Sequence, residues 1–402
     1  MKNNGSNKNT FLLLAIVSTI ITMGLHIYLS QHYYGVKFGL AEAGSVCNIN
    51  QKFNCDAVTA SRFSDFLGVP VALWGLATNS VLLFFLFVTR QNLTQDRAKT
   101  SRYAFLLSLV VLLASVVMGT ISLTAMSNLC IFCITAYVFS IITFACTLTG
   151  AENLSVQNLI EDIKDIFTSD RWVLGFLAAI PVISFGANLM YLESHGLGDV
   201  EKVANEKVSY WLSAPTVTLD PTAGLQMQAG TQTPIMNIVE FADFRCPHCK
   251  HAAPSIHAFV QSHPDVKLTF KPFPLDGTCN DAIQGGGDGI SCGLAFAVMC
   301  SEQINKTGWK AHDYLFENQM DIIQDQNLDK NLQSLSTVVG IPKDDLKKCV
   351  EAPETKALVI KIAKEGADAK IRGTPTVFVN NKVLEGGQLI PVLDAAYKSL
   401  RK

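Results

Sequence analysis

Charge is what this sequence has least of. Asp, Glu, Lys and Arg make up 16% of its 402 residues, against about 25% in an ordinary soluble domain, while 49% are apolar and the mean hydropathy is +0.26. A single water-soluble enzyme is thereby excluded, and much of the chain is expected in lipid. The net charge is only −2, which leaves no electrostatic footprint for nucleic acid. Dinucleotide signatures are missing as well: Gly285-Gly286-Gly287-Asp288-Gly289 does not spell G-x-G-x-x-G and precedes no clear phosphate-binding helix, so it reads as a flexible loop. Of eight histidines only His26 falls in a long apolar run, too few for a bis-histidine haem. There is no internal repeat. Against these absences stand 11 cysteines, and an odd number leaves at least one thiol over if the rest pair.

Five apolar runs are long enough to cross a bilayer: Phe11 to Ser30, Val69 to Thr89, Tyr103 to Ala125, Leu129 to Thr149 and Trp172 to Leu192. The first has Lys2 and Lys8 before it and the small triplet Ala41-Glu42-Ala43 after it, but that triplet stands too far beyond the run for a signal-peptide cleavage site. An uncleaved helix is expected. Basic residues set the orientation. Lys2, Lys8, Arg90, Arg97, Lys99, Arg102, Lys164 and Arg171 would share one side, leaving only Lys37, Lys52 and Arg62 in the short segments opposite. Such a bias places the N-terminus in the cytoplasm and everything after Leu192 outside.

Residues 193–233 turn polar, with Gly196, Gly198, Pro215, Pro221 and Gly224, and read as a linker with at most short local structure. From Pro234 the pattern is that of a soluble α/β domain. Strands are expected at Ile235 to Phe244 and Val266 to Leu275, a helix from Cys246, a helical block over about 290–370, and a hairpin from Thr376 to Glu385 turning at Asn380-Asn381.

Cys246-Pro247-His248-Cys249 follows an apolar strand and opens a helix, where free backbone N–H groups favour a thiolate. Zinc would need two more ligands, and Cys279 and Cys292 match no compact knuckle; no metal is expected. Covalent haem needs His after the second Cys, where Lys250 stands. With Glu240 six residues before Cys246, Pro254 eight after it, and Gly373-Thr374-Pro375 directly before a strand, residues 234–402 resemble the DsbA-like branch of the thioredoxin fold. The resemblance implies an exposed nucleophile at Cys246, a buried resolving thiol at Cys249, a buried acid for proton transfer at Glu240, a cis-proline at Pro375 facing the cysteines, and a helical insertion. His248 and the helix N-terminus would stabilise the Cys246 thiolate and make the site oxidising. Threonine at 374 is more typical of the isomerase and reductase branch and leaves the direction of exchange open.

A second Cys-x-x-Cys, Cys130-Ile131-Phe132-Cys133, sits at the outer end of the fourth run, close behind Met126-Ser127-Asn128, with both sulfurs on one helix face. Tyr137 continues that face one turn deeper. Cys47 and Cys55 lie in the long loop after the first run, where a local structural disulfide is the alternative to a redox role. Loop Cys-x7-Cys, Ser61, Gly68-Val69-Pro70, Trp74-Gly75, Cys130-x-x-Cys133 and Tyr137 together resemble the vitamin K epoxide reductase family over about residues 11–149. That resemblance implies a route from Cys246 to Cys47, through Cys55 to Cys130, and from Cys133 to a quinone, ubiquinone or menaquinone, with Tyr137, Trp74 and Ser61 at the quinone. Val58 to Leu67 would form a half-helix lid on the bundle, or equally an interfacial helix without a ligand role.

Cys279, Cys292, Cys300 and Cys349 allow three pairings. Cys279 with Cys292 and Cys300 with Cys349 are expected as structural staples, which leaves Cys146, at the inner end of the fourth run, as the odd thiol. The expected fold is thus a membrane four-helix bundle (residues 1–150), a cytoplasmic loop and fifth linking span (151–192), a linker (193–233) and a DsbA-like thioredoxin-fold domain with a helical insertion (234–402). The expected activity is a protein-dithiol:quinone oxidoreductase in a bacterial inner membrane, acting as a monomer on cysteine-containing secreted or periplasmic proteins. The same wiring run toward isomerisation, reduction or quinone-epoxide reduction is the nearest alternative; a membrane thiol metal receptor or redox sensor is the non-enzymatic one.

Overall fold

The structure, a computed structural model, describes residues 2–40, 45, 47–49, 52–126, 128–228 and 233–401. The Ala41-Glu42-Ala43 triplet and Ser127 lie outside the described residues. The chain divides into two compact units, residues 1–34 with 45–198, and 35–44 with 199–402.

The first unit holds α1 (Lys2–Lys37), α2 (Cys55–Ala60), the two-residue strands β1 (Asp65–Phe66) and β2 (Val69–Pro70), α3 (Val71–Arg90), α4 (Arg97–Thr124), α5 (Ile131–Gly150), α6 (Val156–Phe167) and α7 (Arg171–Ser194). Five of these, α1 from Asn7, α3, α4, α5 and α7, are long and apolar enough to cross a membrane; they mark a membrane protein, because in lipid a segment must satisfy its own backbone groups and a helix does so. Leu12, Leu82, Phe85, Leu86, Tyr103 and Cys146 form the apolar centre of the bundle. Hydroxyls join the helices across it, Thr143 donating to Ser18 at 2.8 Å and Ser108 pairing with Thr147 at 2.6 Å. The fifth span, α7, docks on α3 through stacked Phe84 and Phe176, centroids 4.3 Å apart. At the end of the bundle that holds the Arg97 to Arg102 cluster, Arg102 forks onto Asp162 and Lys99 reaches Asp165 and Asp170, which ties α4 to α6 and α7.

One expectation here is corrected. Val58 to Leu67 is not a half-helix: α2 ends at Ala60, and Asp65–Phe66 pairs with Val69–Pro70 as a small hairpin. Leu67 and Gly68 at its tip both take positive φ, a turn conformation that cannot continue a helix.

The second unit contains α8 (Val200–Ser213), β3 (Leu225–Gln228), β4 (Met236–Ala242), α9 (Pro247–Ser262), β5 (Val266–Pro272), the helices α10 (Ile290–Asn305), α11 (Gly308–Glu317), α12 (Gln319–Asp325), α13 (Leu328–Val339), α14 (Lys343–Glu351) and α15 (Pro353–Asp368), then β6 (Thr376–Val379), β7 (Lys382–Val383) and α16 (Ile390–Leu400). The sheet order is β3-β5-β4-β6-β7, with only β4 and β5 parallel. That parallel pair is joined through α9, as parallel strands must be joined by a crossover. β4 is a near-continuous apolar run because the sheet is covered on both faces. Asn380 and Asn381, at φ 48° and 65°, supply the two left-handed residues of the β6–β7 turn. α10 is buried through most of its length and forms the centre of the helical insertion.

The stretch 193–233 carries more structure than the linker expected there. Ala204, Val208 and Trp211 of α8 recur at helical spacing and are buried, with Trp211 Nε1 donating to the Val379 carbonyl at 3.0 Å. Leu225–Gln228 completes the sheet as the antiparallel partner of β5. Both elements are stabilised by long-range packing, which glycine and proline content does not reveal.

Candidate functional site

In the first unit Cys130 is the residue that caps α5, and its sulfur accepts the Cys133 backbone N–H at 3.1 Å. Helix starts leave N–H groups without partners, and here a thiol sulfur takes one. The loop carrying Cys47 and Cys55 is lashed to this point by backbone: Leu129 N–H donates to the Lys52 carbonyl at 2.7 Å and Asn54 N–H to the Leu129 carbonyl at 2.9 Å. Asn54 then caps α2 through Ala57 N–H at 2.9 Å, fixing Cys55 as the first helical residue. Cys47 and Cys55 are bonded, with Cα atoms 5.8 Å apart. Asn48 donates to Asp56 at 2.7 Å and His32 of α1 pairs with Asp56 at 3.0 Å, so the loop is held on the bundle side as well. The result is one buried cluster of Cys47, Cys55 and Cys130, with Cys133 packed against it and Leu29, Val58 and Phe132 closing it.

Beside Cys133 opens a cavity of about 100 Å³ whose lining includes His26, Ser61, Met118, Ser122 and Tyr137. That is the scale of one six-membered ring, since an apolar cavity of about 150 Å³ accepts benzene. Ser61 and Tyr137 are both among the lining residues. Trp74 is not: it lies against Phe66 and Phe185, its Nε1 donating to the Phe66 carbonyl at 3.3 Å. The reason is angular. Successive helix residues are about 100° apart, so when Gly75 faces α1 its neighbour Trp74 turns toward α7. His26, Met118 and Ser122 carried no functional signal in the sequence beyond the isolation of His26 as the lone span histidine.

In the second unit Cys246 caps α9 and Pro247 occupies its first turn, a position where the missing N–H costs nothing. The antiparallel register of β4 and β6 pairs Phe241 with Thr376, which carries the Thr374-Pro375 peptide, cis in this structure, to the cysteines. The Cys246 thiol donates to the Thr374 carbonyl at 3.3 Å. Turned inward in this way, Cys246 keeps 8% of its surface exposed where an exposed nucleophile was expected, and Cys249 keeps none. A hydrogen bond from Cys249 holds the Cys246 thiol down at about 5, with burial opposing, and contact with Thr374 and the backbone N–H groups of Cys249 and His248 adding to the effect. His248 acts through its backbone; its residue is exposed. Burial, together with the Cys246 bond, pushes the Cys249 thiol well up.

Glu240 lies on β4 opposite Phe270 and Val377, fully buried, with neither carboxyl oxygen hydrogen-bonded. Burial raises it to about 8. Gln319, which sequence reasoning missed, is buried with its amide donating to the carbonyls of Phe244 and Cys246, 2.9 Å each; it holds the turn leading into the motif. No local pattern could have marked it, because α12 lies 73 residues from Cys246. Asp243 tethers the same turn, accepting from Arg245 N–H, Leu275 N–H and the Ser291 hydroxyl. Cys279 is bonded to Cys292 and Cys300 to Cys349, while Cys130, Cys133, Cys146, Cys246 and Cys249 are free thiols.

Comparison with known proteins agrees with this division. Residues 10–148 match the model of the Vitamin K epoxide reductase family and residues 222–395 a model described as Thioredoxin. The second match begins ahead of Pro234 and takes in β3. Disulfide bond formation protein D of Bacillus subtilis is 27% identical over 178 residues, 42% of this chain and 74% of the relative. Probable disulfide bond formation protein D of Bacillus cereus is 24% identical over 184 residues, 44% of this chain and 78% of the relative. The crystal structure of oxidised BdbD from Bacillus subtilis aligns at 23% identity and a TM-score of 0.38, covering 47% of this chain and 99% of that one. The chain is therefore a membrane thiol oxidoreductase whose first part is similar to the Vitamin K epoxide reductase family and whose second part is a thioredoxin-fold domain.

Proposed function

We propose that this oxidoreductase forms disulfides in secreted or periplasmic proteins and delivers the electrons to a membrane quinone. A client dithiol reduces the Cys246–Cys249 disulfide and leaves oxidised. Cys246 then exchanges with Cys47, the Cys47–Cys55 pair takes up the two electrons, and Cys55 passes them to the Cys130–Cys133 disulfide. Cys130 and Cys133, once reduced, return to the disulfide as a quinone takes two electrons and two protons. A quinone supplies a two-electron acceptor that is soluble in lipid, which neither a dinucleotide nor a bis-histidine haem offers here. The observation that carries this reading is the packing of the loop pair against Cys130, with Cys133 beside it and a ring-sized cavity next to Cys133. The low value of the Cys246 thiol supports the oxidising direction, because a stable thiolate is a good leaving group.

The membrane is proposed to be the bacterial inner membrane, with the N-terminus in the cytoplasm and the thioredoxin-like domain outside, on the strength of Arg90, Arg97, Lys99 and Arg102 clustering at one end of the bundle. Domain limits are proposed at 1–150, 151–192, 193–233 and 234–402, with α8 and β3 belonging structurally to the last of these. Thr374 beside Pro375 favours a second direction, in which the soluble site reduces or isomerises its clients.

Purified full-length protein given a reduced client and a short-chain quinone is expected to form one hydroquinone per disulfide. Cys133→Ala should abolish hydroquinone formation while its soluble domain stays folded. Normal turnover in that variant, or client oxidation without quinone consumption in the wild type, would overturn the relay. Cys246–Cys249 found mostly reduced in growing cells would support the reductive direction.

A further inference from the structure

His26 lies on the wall of the cavity that also holds Cys133 and Tyr137. Its Nδ1 is buried and has no hydrogen-bond partner. A buried polar nitrogen without a partner is costly, and none of the polar side chains of the lining, Tyr33, Thr59, Ser61, Ser64, Ser122 and Tyr137, hydrogen-bonds it. Space for the ring is provided from the facing helix. A Cβ at Gly75 would fall under 3.0 Å from Cε1, Nε2 and Nδ1 of the imidazole, so only glycine at 75 lets the ring stand where it does. The Tyr137 hydroxyl has Ser122 as a side-chain partner and the Ser61 and Ser64 hydroxyls donate to the carbonyls of Val58 and Ser61, whereas the imidazole Nδ1 has no partner.

From the cavity, the orphan nitrogen and the glycine gap, we infer that His26 hydrogen-bonds a carbonyl oxygen of the electron-accepting ring and serves it as proton donor. The inference deepens the quinone reading above and rests on it. In the step assigned to His26, the sulfurs of Cys130 and Cys133 form their bond and release two electrons to the ring. Each thiol gives up one proton. The imidazole releases its N–H proton to the carbonyl oxygen and takes one thiol proton at its other nitrogen, ending neutral, while the second thiol proton goes to the second oxygen. Thiol and quinone are thereby converted to disulfide and hydroquinone with no further reactant. Imidazole suits the task because its two nitrogens can donate and accept at once, which an amide cannot reproduce.

The test is steady-state quinone reduction by the full-length protein with a reduced client, using a short-chain ubiquinone as the probe. His26→Leu is expected to lower kcat about 100-fold, the usual scale for losing a general acid, and to raise KM. His26→Gln, which keeps a hydrogen bond but cannot relay a proton, should hold KM within about threefold while kcat stays low and its pH dependence flattens. Gly75→Ala displaces the ring without altering it and should lower kcat as well. Correct assembly of each variant is read from exchange between Cys246 and Cys47, which His26 does not touch. Wild-type kcat and pH profile in His26→Gln, or an undiminished rate in both His26→Leu and Gly75→Ala, would overturn the role of His26. Failure of the wild-type protein to reduce the quinone would instead overturn the quinone reading itself.

Discussion

The chain contains the same four-residue motif twice, each time with its first cysteine capping a helix, and the two copies are built differently. At α5 the Cys130 sulfur turns back to cap its own helix through the Cys133 N–H, and its neighbours are two more cysteines and an apolar wall. At α9 the Cys246 sulfur turns away from its own helix to the Thr374 carbonyl, and around it stand a buried amide and the cis-proline loop, with the buried Glu240 on the preceding strand. On the function proposed above, a sulfur surrounded by sulfurs serves to hand electrons to a fixed partner. On the same proposal, a sulfur facing a backbone carbonyl, with its thiolate stabilised, serves to meet changing partners. The motif marks thiol chemistry; the neighbours set which kind.

The largest break in this comparison is expected from Glu240, a buried carboxyl with no hydrogen-bond partner, whereas the buried carboxyl beside the α5 cluster, Asp56, is held by Asn48 and His32. Its folded-state value of about 8 lies above its unfolded value of 4.5. The favourable contribution is therefore complete below about pH 4.5 and is lost as pH climbs through 8, a change of the order of 5 kcal/mol. Denaturant titrations of the oxidised protein from pH 4 to 9 should show the soluble domain weakening along that slope, and Glu240→Gln should flatten it. An unchanged slope in the variant would show that Glu240 does not titrate in this range.

Next in size are the staples, which separate structural from redox cysteines. Cys300 and Cys349 are 49 residues apart, and removing both should cost about 4 kcal/mol by loop entropy, against about 3 kcal/mol for Cys279 and Cys292 at a separation of 13. Client oxidation should survive either loss in the fraction that folds. A complete loss of oxidation with folding intact would move that pair into the relay. Gln319→Leu leaves the carbonyls of Phe244 and Cys246 without their donor, and should destabilise the soluble domain by about 2 kcal/mol while changing the Cys246–Cys249 potential and leaving the α5 site untouched. The smallest effect is expected from Cys146→Ala: the thiol is a packing residue of the bundle centre, so quinone turnover should stay within twofold of wild type. Reduced turnover there would mean that the odd thiol is not idle.

The elements that local pattern could reveal were the ones with a strong local cause. The spans announce themselves because about 20 apolar residues have no other stable environment. β4 and α9 announce themselves because an apolar run meets a helix-opening Cys-Pro, and the hairpin turn because Asn-Asn tolerates positive φ. α8 and β3 escaped because Ala204, Val208 and Trp211, or Leu225 alternating with Met227, make a weak signal among polar neighbours until the sheet is there to receive them. The resemblance implied Trp74 at the quinone; in the structure its ring lies against Phe185, a contact between helices that no motif could reveal.

By itself the sequence determined the chemistry available to this protein: which thiols exist, which of them stand at helix starts, and which stretches must lie in lipid. These follow from composition, spacing and hydropathy, all of which act over a few turns of chain. Tertiary structure alone decided what each thiol faces. The backbone bonds from Lys52 and Asn54 to Leu129 bring Cys55 to Cys130, the Phe241 to Thr376 register brings Thr374 to Cys246, and a glycine on one helix admits the imidazole of another. Those contacts join residues tens to more than a hundred positions apart, and only packing, which depends on shape at both ends of the contact, can select them.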